Sequence, residues 1–180
     1  MIHYTRVTRK AELEQILQLQ LQNMPAALSS EVKQAEGFVT VQHDLGLLMR
    51  MNDRCAHIVA KEQHKIVGYA LCMHPHFREE IEVLKPMFTE IDRAFGANTP
   101  YMIMGQICID KKYRKQGIFR MLYKTMQEAL LPEFTTIITE VNTANSRSIQ
   151  AHYAVGFNKL SVYESQGVKW ELIALTKNAP

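Results

Sequence analysis

The stretch Gln106-Ile107-Cys108-Ile109-Asp110-Lys111-Lys112-Tyr113-Arg114-Lys115-Gln116-Gly117-Ile118-Phe119-Arg120 decides how the chain is read. A buried strand, Tyr101 to Asp110, ends within it, a short basic loop turns, and an amphipathic helix begins at or just after Gly117. Helix N-termini expose N–H groups without intrahelical acceptors and the positive end of the dipole, so they bind anions. A glycine at the turn lets the backbone come close to a phosphate. Lys111, Lys112, Arg114, Lys115 and Arg120 add positive charge around that point. These features describe a phosphate-binding loop without saying which phosphate. The three-glycine dinucleotide fingerprint and the Lys-Ser/Thr pair of a P-loop are both missing.

Downstream, the helix runs to Leu130 with the stripe Ile118, Met121, Leu122, Thr125, Met126, Ala129 and Leu130, and Pro132 ends it. Thr135 to Val141 is a β-branched strand, Ser146 to Ala154 a short helix closed by Gly156, and Phe157 to Tyr163 and Val168 to Leu175 are strands. Upstream, Ile2 to Val7 is a strand. Thr8 then caps a helix with Leu13, Ile16, Leu17, Leu21 and Met24 on one face, ended by Pro25. Ser29 to Glu36 is a candidate short helix stopped by Gly37. Asp44 to Met51 is another helical stretch, with Leu45, Leu48 and Met49 on its face. Ala56 to Lys61 and Lys65 to Met73 form a hairpin turned at Glu62 to His64. Residues 74–100 interrupt the sheet with helix-like material. Phe77, Ile81 and Leu84 share one face there, and Pro86 opens a second helix carrying Met87, Ile91 and Phe95. Antiparallel hairpins first and one βαβ unit later indicate an α/β fold of the α+β type, a sheet flanked by helices. No repeat or linker divides residues 1–180, so one domain is expected.

Composition narrows the classes. With 47% hydrophobic and 22% charged residues the chain has a globular balance, and a net charge of +3 is too small to argue for nucleic acid. The N-terminus lacks the apolar run of a signal peptide, and no apolar stretch approaches the length of a membrane span. Cys55, Cys72 and Cys108 are odd in number and sit in apolar segments, so they read as reduced core thiols of a cytoplasmic protein. Met24, Met49, Met51, Met73, Met102 and Met104 read as core residues. His74 and His76 flank Pro75 without a third ligand, and the chain is expected to be metal-free.

The strand, Asp110, Tyr113-Arg114-x-x-Gly117-Ile118 and the Leu/Met-rich helix together resemble motif A of the GNAT superfamily of N-acetyltransferases. Asn142-Thr143-Ala144-Asn145-Ser146-Arg147-Ser148-Ile149-Gln150-Ala151-His152-Tyr153-Ala154-Val155-Gly156-Phe157 resembles the family's Asn…Tyr-x-x-Gly-Phe element. The resemblance covers about Ala56 to Leu175 and implies a mixed, mostly antiparallel sheet. It also implies acetyl transfer from acetyl-CoA to a primary amine by direct attack in a ternary complex. Backbone groups of Ile107 and Ile109, around Cys108, would pair with the pantetheine arm. N–H groups of Arg114, Lys115, Gln116, Gly117, Ile118 and Phe119 would hold the pyrophosphate, with Arg120 nearby. Asn145 would bond the pantetheine, and Ser148 and Tyr153 would lie toward the thioester. Phe119 departs from the family, which usually has Gly or Ala there. The 74–100 insertion is a second departure, expected to cover the acceptor or to form a subunit interface, as in a homodimer.

Amine acetylation needs a neutral amine, a donor for the developing oxyanion and a proton for the leaving thiolate. By resemblance Tyr153 is the acid and the Ile109 N–H the oxyanion donor. Glu140, late on its strand, is the first candidate for the base; Gln106 can orient but not accept a proton, and His43 and His74 are read as structural or exposed. None of the cysteines stands where a nucleophile is expected. The acceptor is a small-molecule or peptide amine. Two other classes use the same residues: a non-catalytic acyl-CoA-binding module and a nucleic-acid-binding patch.

Overall fold

The computed structural model describes residues 1–24, 42–95 and 99–177. Seven described strands form one sheet in the order β1 (Ile2–Arg6), β2 (Ile58–Glu62), β3 (Lys65–Met73), β4 (Tyr101–Ile109), β5 (Thr136–Asn142), β7 (Val168–Thr176) and β6 (Asn158–Ser165). β4 and β5 are parallel, and every other neighbouring pair is antiparallel. A parallel pair needs a crossover, which a helix from Ile118 to Leu130 supplies. The sheet is therefore mixed and mostly antiparallel.

Five described α-helices flank it: α1 (Lys10–Gln22), α2 (Leu45–Arg54), α3 (Lys85–Ala94), α4 (Ile118–Leu130) and α5 (Ser146–Val155). On one face Ile118, Leu122, Tyr123, Met126 and Leu130 of α4 pack on Ile58, Ala70, Met102 and Ile137. On the other, Leu13, Ile16 and Leu19 of α1 and Leu48 of α2 pack on Tyr69, Leu71 and Cys108. The insertion extends that second layer, with Phe77, Met87, Phe88 and Ile91 over Met73, Ile103, Ile138 and Leu172.

Several local expectations are corrected. Residues before α3 form two 3₁₀ turns, Pro75–Glu79 and Glu82–Leu84, because Pro86 at the second position of α3 forbids a helix running straight through. In α1 the buried side is Glu12, Leu13, Ile16, Leu19 and Gln20, while Leu21 is half-exposed. That helix ends at Gln22, where the Asn23 amide donates to Leu19 O (2.9 Å); Pro25 and the helix expected over Ser29–Glu36 lie outside the described residues. In α2 the buried residues are Leu48 and Met51, and Met49 is exposed, so it is not a core methionine.

The cap of α1 is Arg9 and not Thr8, because the Glu12 carboxylate reaches back to satisfy both N–H groups, Thr8 at 2.8 Å and Arg9 at 3.1 Å. Its other oxygen takes the Lys61 ammonium of β2, which ties helix to sheet. Burial acts to raise this carboxyl's pKa, but Lys61 and the two N–H donors outweigh it and hold it at about 2. A carboxylate with a depressed folded pKa stabilises above its unfolded value of 4.5, and the contribution is lost as pH falls toward 2. Glu12→Gln should therefore lower unfolding free energy by roughly 1–3 kcal/mol at neutral pH in urea titrations, with the gap to the parent closing below about pH 4.

Candidate active site

β4 and β5 stay paired for three residue pairs only, Tyr101–Thr136, Met102–Ile137 and Ile103–Ile138. Beyond them the strands part. β5 continues along β7, from Thr139–Ile173 to Asn142–Trp170. β4 continues along β3 with one extra residue, since Cys72 faces Met104 and Ala70 faces Ile107, which leaves Gly105 and Gln106 against Leu71. A bulge of this kind shifts the alternation of side chains. Met102 and Met104 face α4, as Ile107 and Ile109 do beyond the bulge, while Cys108 faces α1. Gln106 is turned to the α1 side, where its Oε1 accepts from Gln20 Nε2 (2.6 Å) and from the Tyr69 hydroxyl. At the point of parting, Thr139 Oγ1 donates to Met104 O (2.9 Å).

Asp110 N donates to Val67 O of β3 (2.9 Å). Backbone groups alternate sides in an antiparallel ladder, so those of Ile107 and Ile109 face away from β3, into the fork. Ile109 O there accepts from Arg114 Nε (3.1 Å), and Arg114 Nη2 donates to Asn23 Oδ1 (2.7 Å) at the end of α1.

A cavity of about 280 Å³ fills this side of the fork. Its walls are Ile107, Cys108 and Ile109 of β4, Arg114, Lys115, Gly117, Ile118 and Phe119 of the loop and α4, and Asn145 and Ser148 of α5. Asn23, Arg147 and Ala151, which the sequence did not single out, complete it. Three expected residues do not line it: Gln116 bonds back to Lys112 O (3.3 Å), Arg120 to Ala154 O (2.9 Å), and Tyr153 lies elsewhere.

The first turns of α4 and α5 both border this cavity, so two positive dipole ends converge on it. Gly117 caps α4 at φ +77°, and a Cβ built there meets no atom within 4 Å, so its hydrogen leaves the helix end open to a ligand. Lys115 is also left-handed, at φ 62°, a conformation that costs a non-glycine residue on the order of 1 kcal/mol and is usual at binding sites. Asn145 caps α5, its Oδ1 accepting from Ser148 N (3.2 Å). Phe119 joins an edge-to-face cluster with Tyr123 (5.2 Å between centroids) and His152 (5.0 Å) that ties α4 to α5.

A smaller cavity of about 70 Å³ lies in the gap between the parted strands, bordered by Gly105 and Gln106, Thr139 to Asn142, His152 and Trp170. It shares Ile107, Asn145 and Ser148 with the larger one, so the two meet there. Glu140 belongs to this gap. Burial pushes its pKa up to about 7, although a hydrogen bond from the Tyr163 hydroxyl to Oε2 acts the other way. His152, 1% exposed, places Nδ1 2.7 Å from Ser148 O and Nε2 2.8 Å from the Tyr123 hydroxyl. A carbonyl only accepts, so Nδ1 carries the proton and Tyr123 donates to Nε2. Burial lowers the pKa of this ring to about 4, so it is neutral.

Tyr153 lines neither cavity. It is 40% exposed, and its hydroxyl donates to Glu171, a bond that raises its pKa to about 12. Helical geometry explains the exchange: Asn145, Ser148 and His152 follow an i, i+3, i+7 spacing on one face, and Tyr153 is turned about 100° from it. The spacing is readable in the sequence, but which face of the helix meets the sheet is not. Tyr163 comes from a strand 23 residues away from Glu140 and carries no such signal. His43 bonds Gln20 (2.8 Å) and His74 caps a 3₁₀ turn, and neither borders these cavities. Among the described residues, no group of three or more His, Cys, Asp or Glu is arranged to hold a metal ion, and no helix is long and apolar enough to cross a membrane.

The fold is similar to that of the ribosomal-protein-S18-alanine N-acetyltransferase from Escherichia coli, at 13% identity and a TM-score of 0.65 over 98% of this chain and 94% of that one. It is similar to a putative acetyltransferase from Acinetobacter baylyi, at 17% identity and a TM-score of 0.68 over 100% and 95%. A chain of the NatC complex bound to Gag peptide and CoA aligns at 14% identity and a TM-score of 0.67 over 98% and 99%. No protein of curated function matches the sequence. The profile of the acetyltransferase (GNAT) family matches residues 13–157, the span that holds the fork, the loop and the starts of α4 and α5, and the chain belongs to that family.

Proposed function

We propose that the chain moves an acetyl group from acetyl-CoA to a primary amine by direct attack within a ternary complex. The observation that carries this reading is the meeting of two cavities at Ile107, Asn145 and Ser148, one at two helix N-termini and one beside Glu140. The larger cavity fits a CoA-type donor in three respects: Gly117 presents no side chain, Lys115 and Arg114 border it, and backbone groups of Ile107 and Ile109 face it where β5 has turned away. Bound there, acetyl-CoA would supply an activated acetyl group and a thiolate leaving group.

The chain's own residues account for the rest. Glu140, with a pKa near 7, accepts a proton from an ammonium ion at neutral pH and returns to its ionised form readily. N–H groups of Ile107 and Ile109 face the point where charge would develop on the carbonyl oxygen. Ser148 borders both cavities and its hydroxyl is a donor for the leaving sulfur, with neutral His152 behind it at 3.4 Å. One of the fold relatives is a ribosomal-protein-alanine N-acetyltransferase and another is bound to a peptide and CoA, so a protein or peptide amine is the first acceptor to test.

Thiol release from acetyl-CoA over a panel of amines and N-terminal peptides tests the activity; CoA binding without turnover on any amine would leave only a binding module. Glu140→Gln should lower kcat by about 10²-fold or more without weakening CoA in calorimetry. In the parent, kcat/KM should rise through about pH 7 as this carboxyl ionises, and the substitution should remove that limb. Gly117→Val should weaken CoA binding at least about tenfold while circular dichroism stays unchanged, because its Cβ enters open cavity and its φ is strained. Ser148→Ala should lower kcat on the order of tenfold, with Tyr153→Phe close to the parent. The opposite order would return the acid role to Tyr153.

A further inference from the structure

Tyr163 stands between two spaces. Its hydroxyl donates to Oε2 of Glu140, a residue that lines the gap between the parted strands. Tyr163 also lines a separate cavity of about 720 Å³, between α3 and the β6–β7 hairpin, together with Glu90, Arg93 and Glu164. The insertion fixes the strand that carries it: Ser161 Oγ donates to Glu90 Oε2 (3.2 Å), and Glu90 is paired with Arg93. We propose that Tyr163 is a positioning residue that holds the Glu140 carboxylate at the fork and favours its ionised form, setting the pH at which the base becomes active. This rests on Glu140 being the base.

A donated hydrogen bond stabilises a carboxylate over its acid, whereas burial does the reverse, and Glu140 sits where the two compete. The other groups around it act weakly. From α5 comes His152, neutral and bonded on both nitrogens. From β4 and β7 come Gln106 and Trp170, neither charged. From α3 come Glu90 and Arg93, already paired, with Glu82 and Lys85 further out at the same rim as Glu164 of β6. Glu171 of β7 is occupied by Tyr153 and Lys159. Burial and the charges of Glu140 and Glu90 push the Tyr163 phenol far above its ordinary range, so at working pH it is protonated and can only donate.

The test uses the full chain without any acceptor. Infrared titration of Tyr163→Phe and the parent follows the carbonyl stretch of the buried acid, assigned by its absence in Glu140→Gln. The expected result is a midpoint raised on the order of one pH unit in Tyr163→Phe, which keeps the ring as the cavity wall. In thiol release with the amine panel, the acid limb should move by the same amount and the rate should recover at high pH. An unmoved or lowered midpoint overturns the proposal, as does a rate lost equally at every pH. A Glu140→Gln variant at full rate overturns the base assignment and the proposal with it. An inactive Glu140→Gln beside an unmoved limb in Tyr163→Phe overturns the proposal alone.

Discussion

The parting of β4 and β5 after Ile103–Ile138 is the constraint on which the site depends. A strand edge without a partner is costly when buried, because each backbone N–H and C=O must find another acceptor or donor. Three features make the opening tolerable. β5 transfers its pairing to β7, β4 keeps β3 through a bulge, and Thr139 Oγ1 caps Met104 O where the strands diverge. What remains is a gap in the middle of a sheet, with backbone groups of Ile107 and Ile109 on its rim. Such an edge suits an extended ligand that completes the sheet, which is how strand addition confers affinity elsewhere.

The bulge has a second consequence. It reverses the facing of everything after Gly105, so Gln106 joins Gln20, Tyr69 and His43 in a polar layer beneath α1 instead of following Met104 toward α4. The α1 end also reaches the phosphate-type loop through Asn23 and Arg114. One irregularity in β4 thus opens the gap and fixes the helix beside it. On the opposite face the aromatic cluster of Phe119, Tyr123, His152 and Phe157 holds α4 against α5, so the two helix N-termini converge on one cavity.

Glu140 illustrates how a carboxylate near neutrality is made. It is taken out of water by the layers on either side of the gap and given a single neutral donor, Tyr163, which offsets part of the burial. Glu12 shows the contrary arrangement in the same chain. Buried at the start of α1, it holds an ammonium and two N–H groups and remains ionised far into acid. The difference lies in the partners and not in the residue type.

Local signals in the sequence determined the strand–loop–helix at Gln106–Arg120, the hairpin of β2 and β3 and the Gly117 turn, because each follows from periodicity, turn chemistry or a helix end. They also made Glu140 a candidate, since its strand and its place near the strand end are readable. Facing was less legible. Tyr153 and His152 differ by one residue, and only helical rotation against the sheet decides which one enters the gap. The bulge at Gly105–Gln106, the Tyr163 hydroxyl on Glu140 and the joining of Asn23 to Arg114 depend on residues distant in sequence, so tertiary structure alone decided them. Periodicity reports what a segment does by itself, whereas a site between parted strands is made by which segments meet.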